Sequence, residues 1–159
     1  MRKRFALQHE LGVTAIEDIL IPTKSRDELP PVLMALQHIF VTEALSEQVF
    51  AILEQRIELK EMGRNGLSLW EILVLGVVRL TLGTNYDRLE HIANYDSLVR
   101  ELLGIKDEFG KVKKQYSTTS LKENIRYIDE SFLVEVNELI VKAGHSLLKK
   151  KMGPKPRLK

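Results

Sequence analysis

Apolar side chains recur along most of the chain at the three-to-four-residue spacing of helices buried on one side. After Asp27, a plausible cap, Pro30 and Pro31 sit in a first turn and Val32 to Val41 continue it, which predicts a helix with proline where its missing amide is harmless. A second helix opens at Thr42 or Ser46. Val49, Phe50, Leu53 and Ile57 fall on one of its faces and Glu47, Glu54 and Glu58 on the other. Gly63-Arg64-Asn65-Gly66 ends it. Ser68 then caps Leu69 to Leu82, which is apolar nearly all round. Buried strands would also suit its Val and Ile content, but its length and helical neighbours favour a central helix. Gly76 within it permits the close approach of another helix.

Gly83 closes that run and Thr84 caps the next, in which Leu89, Ile92 and Ala93 keep the period. Asp96 caps a short helix, Ser97 to Leu103, stopped by Gly104. Residues 105–116 form a basic connector, as a loop or a small hairpin. Ser117-Thr118-Thr119-Ser120 is rich in capping residues, and Ser120 with Glu123 spells a capping box. The helix that follows turns Leu121, Ile125 and Ile128 inward and Thr119, Lys122 and Arg126 outward. Asp129 caps a last helix reaching about Lys150, with Phe132, Val136, Leu139 or Ile140, Ala143 and Leu147 as core positions, and Gly153-Pro154 cannot continue it. The expectation is an all-α domain of about six or seven helices with a helix-turn-helix-like unit. An arm (1–27) precedes the helical body (28–148), and a basic tail (149–159) follows.

Composition narrows the chemistry. With no cysteine among 159 residues, disulfides, cysteine-based zinc sites and a cysteine nucleophile are excluded, which fits a cytoplasmic protein. The longest apolar run is interrupted by Glu71 and Arg79 and is too short to span a bilayer, so no membrane partner is expected. His9, His38, His91 and His145 are scattered without metal-ligand spacing, and there is no glycine-rich phosphate loop or nucleophile elbow. No catalytic residue, metal site, cofactor or small-molecule substrate is therefore expected in this chain. Glu71 is the odd carboxylate, best read as a partly buried ion pair with Arg79 or a neighbour.

Charge is uneven. Net charge is only +2, yet residues 104–159 hold thirteen basic side chains against seven acidic, an asymmetry that suggests a polyanion-facing C-terminal third. Within it, Lys111-Val112-Lys113-Lys114-Gln115-Tyr116-Ser117-Thr118-Thr119-Ser120-Leu121-Lys122 brings cations and hydroxyls to a helix N-terminus, where amides and the helix dipole favour a phosphate. A solvated amphipathic helix after a loop has the same spacing.

The order of these blocks resembles a known family. Leu69-Trp70-Glu71-Ile72-Leu73-Val74-Leu75-Gly76-Val77-Val78-Arg79-Leu80, then Tyr86-Asp87-Arg88-Leu89-Glu90-His91-Ile92-Ala93-Asn94-Tyr95-Asp96-Ser97-Leu98-Val99-Arg100, Leu102-Leu103-Gly104-Ile105 and Tyr116-Ser117-Thr118-Thr119-Ser120-Leu121 resemble the N-terminal helical domain of bacterial insertion-sequence transposases. Lys24 to Leu33 and Val141 to His145 extend the likeness to nearly the whole chain. The resemblance implies binding of the terminal inverted repeats of a mobile element during DNA transposition and recombination, and help in assembling the synaptic complex, with a homo-oligomer as a further partner. Arg88, Lys113, Lys114, Tyr116, Ser117, Thr118, Thr119, Lys122 and Arg126 are the expected DNA contacts. Cutting is expected of an RNase H-like domain with an Asp-Asp-Glu triad and two magnesium ions, which the resemblance places beyond Lys159. A helical protein-interaction module with little DNA contact is the competing expectation.

Overall fold

A computed structural model describes residues 15–22, 27–57, 67–105 and 114–152, with the backbone alone for 143–152. Its elements are a 3-10 turn at Ile16–Asp18 and helices α1 (Leu29–Val41), α2 (Glu43–Ile57), α3 (Leu69–Leu82), α4 (Tyr86–Tyr95), α5 (Ser97–Leu102), α6 (Thr118–Ile125) and α7 (Glu130–Met152). No strand occurs among the described residues, so the fold is all-α.

The apolar-all-round run is α3, and every residue from Leu69 to Val78 is buried. Helices α1, α2, α4 and α6 pack around it. Burying side chains such as Ile72, Leu73 and Leu75 contributes about 1.5–3 kcal/mol each, and Trp70 adds a still larger apolar surface. The Trp70 indole N–H donates to the Leu102 carbonyl at 2.8 Å, and the Phe40 ring lies 5.4 Å away. Local chemistry sets the ends of α3. Ser68 and Glu71 form a reciprocal capping box, and Gly83 takes the left-handed conformation at φ 66°.

Other ends follow the same logic. Asp27 accepts the Leu29 amide ahead of α1, Asp96 accepts the Val99 amide at α5, and Asp129 accepts the Phe132 amide at α7. Arg56 ties α2 to the start of α7. Its guanidinium donates to Asp129 at 3.0 Å, Ser131 at 3.1 Å and Glu135 at 2.7 Å, and lies over the Phe132 ring. The described end of the arm is docked rather than loose: Ile16 and Ile19 are buried, and the Gln37 amide donates to both their carbonyls. No described helix is long and apolar enough to cross a membrane.

Three local expectations are corrected. Asn85, not Thr84, caps α4. Ser117, not Ser120, caps α6. Gly76 admits Ile128 from the α6–α7 connection rather than another helix. An added Cβ there would lie 2.6 Å from Ile128 Cγ1. Of the core positions expected in the last helix, Phe132 and Val136 are buried and Leu139 and Ile140 half-buried. The side chains of Ala143 and Leu147 lie outside the described set.

Candidate nucleic-acid interface

The short segment 114–117 leads into α6, and buried polar side chains hold it from three helices. Asn94, at the end of α4, both donates to the Tyr116 carbonyl at 2.9 Å and accepts its amide at 2.8 Å. The side-chain amide thus satisfies the backbone as a neighbouring strand would. Arg100, in α5 and only 2% exposed, donates to the Ala93 and Lys114 carbonyls, each at 2.7 Å. Asn124 accepts the Leu67 amide and donates to the Ser120 carbonyl, fixing α6 to the approach to α3.

Glu71 is the centre of this network. One carboxylate oxygen accepts the Ser68 amide. The other accepts the Tyr116 hydroxyl at 2.6 Å and the Lys114 ammonium at 2.5 Å. Burial pushes the Glu71 carboxyl towards neutrality. Hydrogen bonds from Lys114, Tyr116 and Ser68, with the Lys114 charge, outweigh that and hold it below the usual carboxylate range. Tyr116 moves the other way. Burial and then the Glu71 charge push its phenol well above the ordinary value, so it remains a neutral donor.

These contacts engage two residues of the expected DNA-contact set. Tyr116 is 3% exposed and turned inward, and the ammonium of Lys114 is paired with Glu71. Tyr116 is therefore not an open surface group, whereas the Lys114 side chain is 42% exposed with its ammonium engaged by Glu71. The ion pair expected for Glu71 exists, but its partner is Lys114. Arg79 lies over the Tyr86 ring instead, 4.3 Å from its centre. The mouth of α6 is also partly satisfied from within. The Ser117 hydroxyl accepts the Ser120 amide, and the Glu90 carboxylate accepts the Thr118 amide at 3.1 Å. Glu90 therefore already supplies negative charge at the positive end of the helix dipole.

What remains outside is the far face of α6. Leu121, Asn124 and Ile125 are buried, while Thr119, Lys122 and Arg126 are exposed on one side. The Arg126 guanidinium also meets the Tyr127 hydroxyl at 3.0 Å. Arg88 is exposed on α4, which packs against α6. Between α4 and the connector lies a polar cleft of about 500 Å³, lined by Glu90, His91, Asn94, Tyr95, Gln115 and Ser117 among others. The His91 and Tyr95 rings stand 5.0 Å apart there, tilted by 44°.

The positive excess of the C-terminal third does not come from this surface. Of the basic residues after position 103, only Lys114, Lys122, Arg126 and Lys142 have described side chains, against the acids Glu123, Asp129, Glu130, Glu135 and Glu138. The excess belongs to residues outside the described set, Lys113 among them. Sequence reasoning did not single out Glu90, Asn94 or Arg100. A visible signal existed for two of them: Asn94 adjoins the apolar stripe of Leu89, Ile92 and Ala93, and Arg100 directly follows Val99, two positions before Leu102.

No group of three or more His, Asp or Glu side chains suited to a metal ion occurs among the described residues. Comparison with protein-family models, curated proteins and solved structures found no match.

Proposed function

We propose that this chain is a DNA-binding module of transposase type, which grips duplex DNA at the ends of a mobile element through the outer face of α6. The observation that carries the reading is the presentation of Thr119, Lys122 and Arg126 on one exposed side of a helix whose other side is locked by Asn94, Asn124 and the Glu71 network. A recognition helix needs such rigidity, because base-edge hydrogen bonds are lost when the helix can rock. In this arrangement α4 is the supporting helix of a helix-turn-helix-like unit and contributes Arg88. Lys122, Arg126 and Arg88 contact phosphates, Thr119 reaches phosphate or base edges, and Ser117 and Thr118 support the helix start. The resemblance in block order is what points to element-end DNA, and it accords with a cytoplasmic protein that leaves cutting to a separate domain.

Fluorescence anisotropy with the inverted-repeat duplex flanking the gene, and with a scrambled duplex, tests this across a salt series. The three phosphate contacts of this face predict a contribution of about −2.7 to the slope of log affinity against log salt, added to that of any further cations, and Lys122→Ala or Arg126→Ala should each flatten the slope by about 0.9. Salt-independent binding, or slopes unmoved by both substitutions, would refute the assignment to α6.

A further inference from the structure

Helix α7 is 23 residues long, about 34 Å of helix, and among its described side chains, up to Lys142, only part of one face is spent on the core. Phe132 and Val136 are buried. Val134 and Val141, seven residues apart and therefore on one stripe, are 57% and 48% exposed, with exposed Asn137 between them. Beside this stripe runs a mainly apolar groove of about 450 Å³ between α7, α1 and α3, lined by Val32, Ala35, Val77, Leu133, Val134 and Ile140 among others. An apolar stripe continuous with an apolar groove is the form of surface that a partner helix covers.

The charge order along α7 says which partner. Its first half carries Glu130 and Glu138, both exposed, in addition to Glu135, which Arg56 engages. Lys142 follows, and Lys149, Lys150 and Lys151 occupy the last turns. Acids first and bases last stabilise a single helix against its own dipole. The same order is self-complementary under a two-fold axis, since an antiparallel copy sets the acidic half of each helix beside the basic half of the other. A parallel copy would oppose like charges along the whole length.

We infer that α7 pairs antiparallel with the α7 of a second copy of this chain, through the Val134–Val141 stripe and the groove beside it, with the two-fold axis near Val141. That register places Val134 opposite sequence position 148, a leucine, and Glu130 opposite position 152, in the partner's last helical turn. The pairing needs no DNA and does not depend on the DNA-binding reading.

The chain has no cysteine, so single cysteines report the geometry directly. Sedimentation equilibrium of the full chain without DNA should give twice the 18.3 kDa chain mass. Val141→Cys should then oxidise to a disulfide-linked dimer and Val134→Cys should not, because antiparallel copies of position 134 lie about 21 Å apart along the axis. The double variant Val134→Glu, Val141→Glu should be monomeric with unchanged helical circular dichroism, since both sites face solvent in the single chain. A monomer at every concentration for the natural chain overturns the inference. So does a Val134→Cys variant that cross-links as readily as Val141→Cys, which would mean a parallel pair.

Discussion

Replacing Lys114 with methionine separates a structural lysine from a DNA-contacting one. The substitution keeps most of the apolar stem and removes the ammonium that meets Glu71. Removing one partner of a buried ion pair costs about 3–5 kcal/mol when the remaining charge is left bare. Glu71 would not be bare, because Tyr116 and the Ser68 amide still donate to it. The Lys114 side chain is also 42% exposed, so water already screens part of the attraction. Both corrections bring the expected loss to about 1–2 kcal/mol at pH 7, or roughly 2–8 °C in Tm for a domain of this size. The pH dependence identifies the cause. In the natural chain Glu71 has a depressed folded-state pKa, so its contribution is present above the unfolded carboxyl value and is lost as pH falls through the folded one. Without Lys114 the folded pKa rises, and Glu71 takes up its proton at higher pH. The gap between variant and natural chain should therefore narrow as pH is lowered from 7.5 towards the acid limb. Urea midpoints measured along that series give the answer. An unchanged midpoint at neutral pH, with a loss of DNA affinity instead, would show that Lys114 serves the ligand and not the fold.

Tyr116→Phe should cost about 1.5–3 kcal/mol at neutral pH through loss of a hydrogen bond to a charged acceptor. It should also remove an alkaline instability: with the folded phenol held above its ordinary value of 10.0, the natural chain loses up to about 1.4 kcal/mol per pH unit once the unfolded tyrosine ionises, which denaturation between pH 9 and 11 would detect. Gly76→Ala forces a Cβ against Ile128, and overpacking of about 1–3 kcal/mol should outweigh the gain of about 1 kcal/mol in helix propensity. Thermal melts should show the effect reduced when Ile128 is also shortened to alanine. Removing residues 153–159, which carry three cations, should flatten the salt slope by as much as about 2.7 while leaving the ratio of specific to scrambled binding unchanged. Paired anisotropy titrations would register a fall in that ratio, and such a fall would count against α6 as the reading element.

The helices were legible because each carries its own period. Val49, Phe50, Leu53 and Ile57 mark one face without reference to anything else, and Leu69 to Val78 announce burial by lacking a polar face. Caps were legible where one residue had the right chemistry, as at Ser68, Asp96 and Asp129. They slipped where several competed. Ser117-Thr118-Thr119-Ser120 offers four hydroxyls, and the choice of Ser117 follows from where Asn94 clamps Tyr116 and where Glu90 meets Thr118. The inward turn of Lys114 and Tyr116 could not be read from spacing. Their partner Glu71 is 43 and 45 residues away, and nothing local distinguishes a lysine before a helix start that meets a carboxylate from one that meets solvent. Gly76 signalled a close approach correctly, but a glycine does not encode whether a helix or a connecting turn fills the space.

The buried network also constrains how binding energy can be divided. Arg100 is engaged by two carbonyls and Lys114 by a carboxylate, so two cations near α6 already have partners within the fold. On α4 and α6 the cations Arg88, Lys122 and Arg126 are matched in number by the acids Asp87, Glu90 and Glu123. A surface so nearly balanced attracts a phosphate backbone weakly at long range, because opposite charges within a Debye length largely cancel. It can still discriminate, since discrimination rests on the position of a few donors and acceptors rather than on summed charge. On the DNA-binding reading, α6 then supplies register and base choice. Most of the salt-dependent affinity then falls to the cations of the lysine-rich stretches at 106–113 and 149–159.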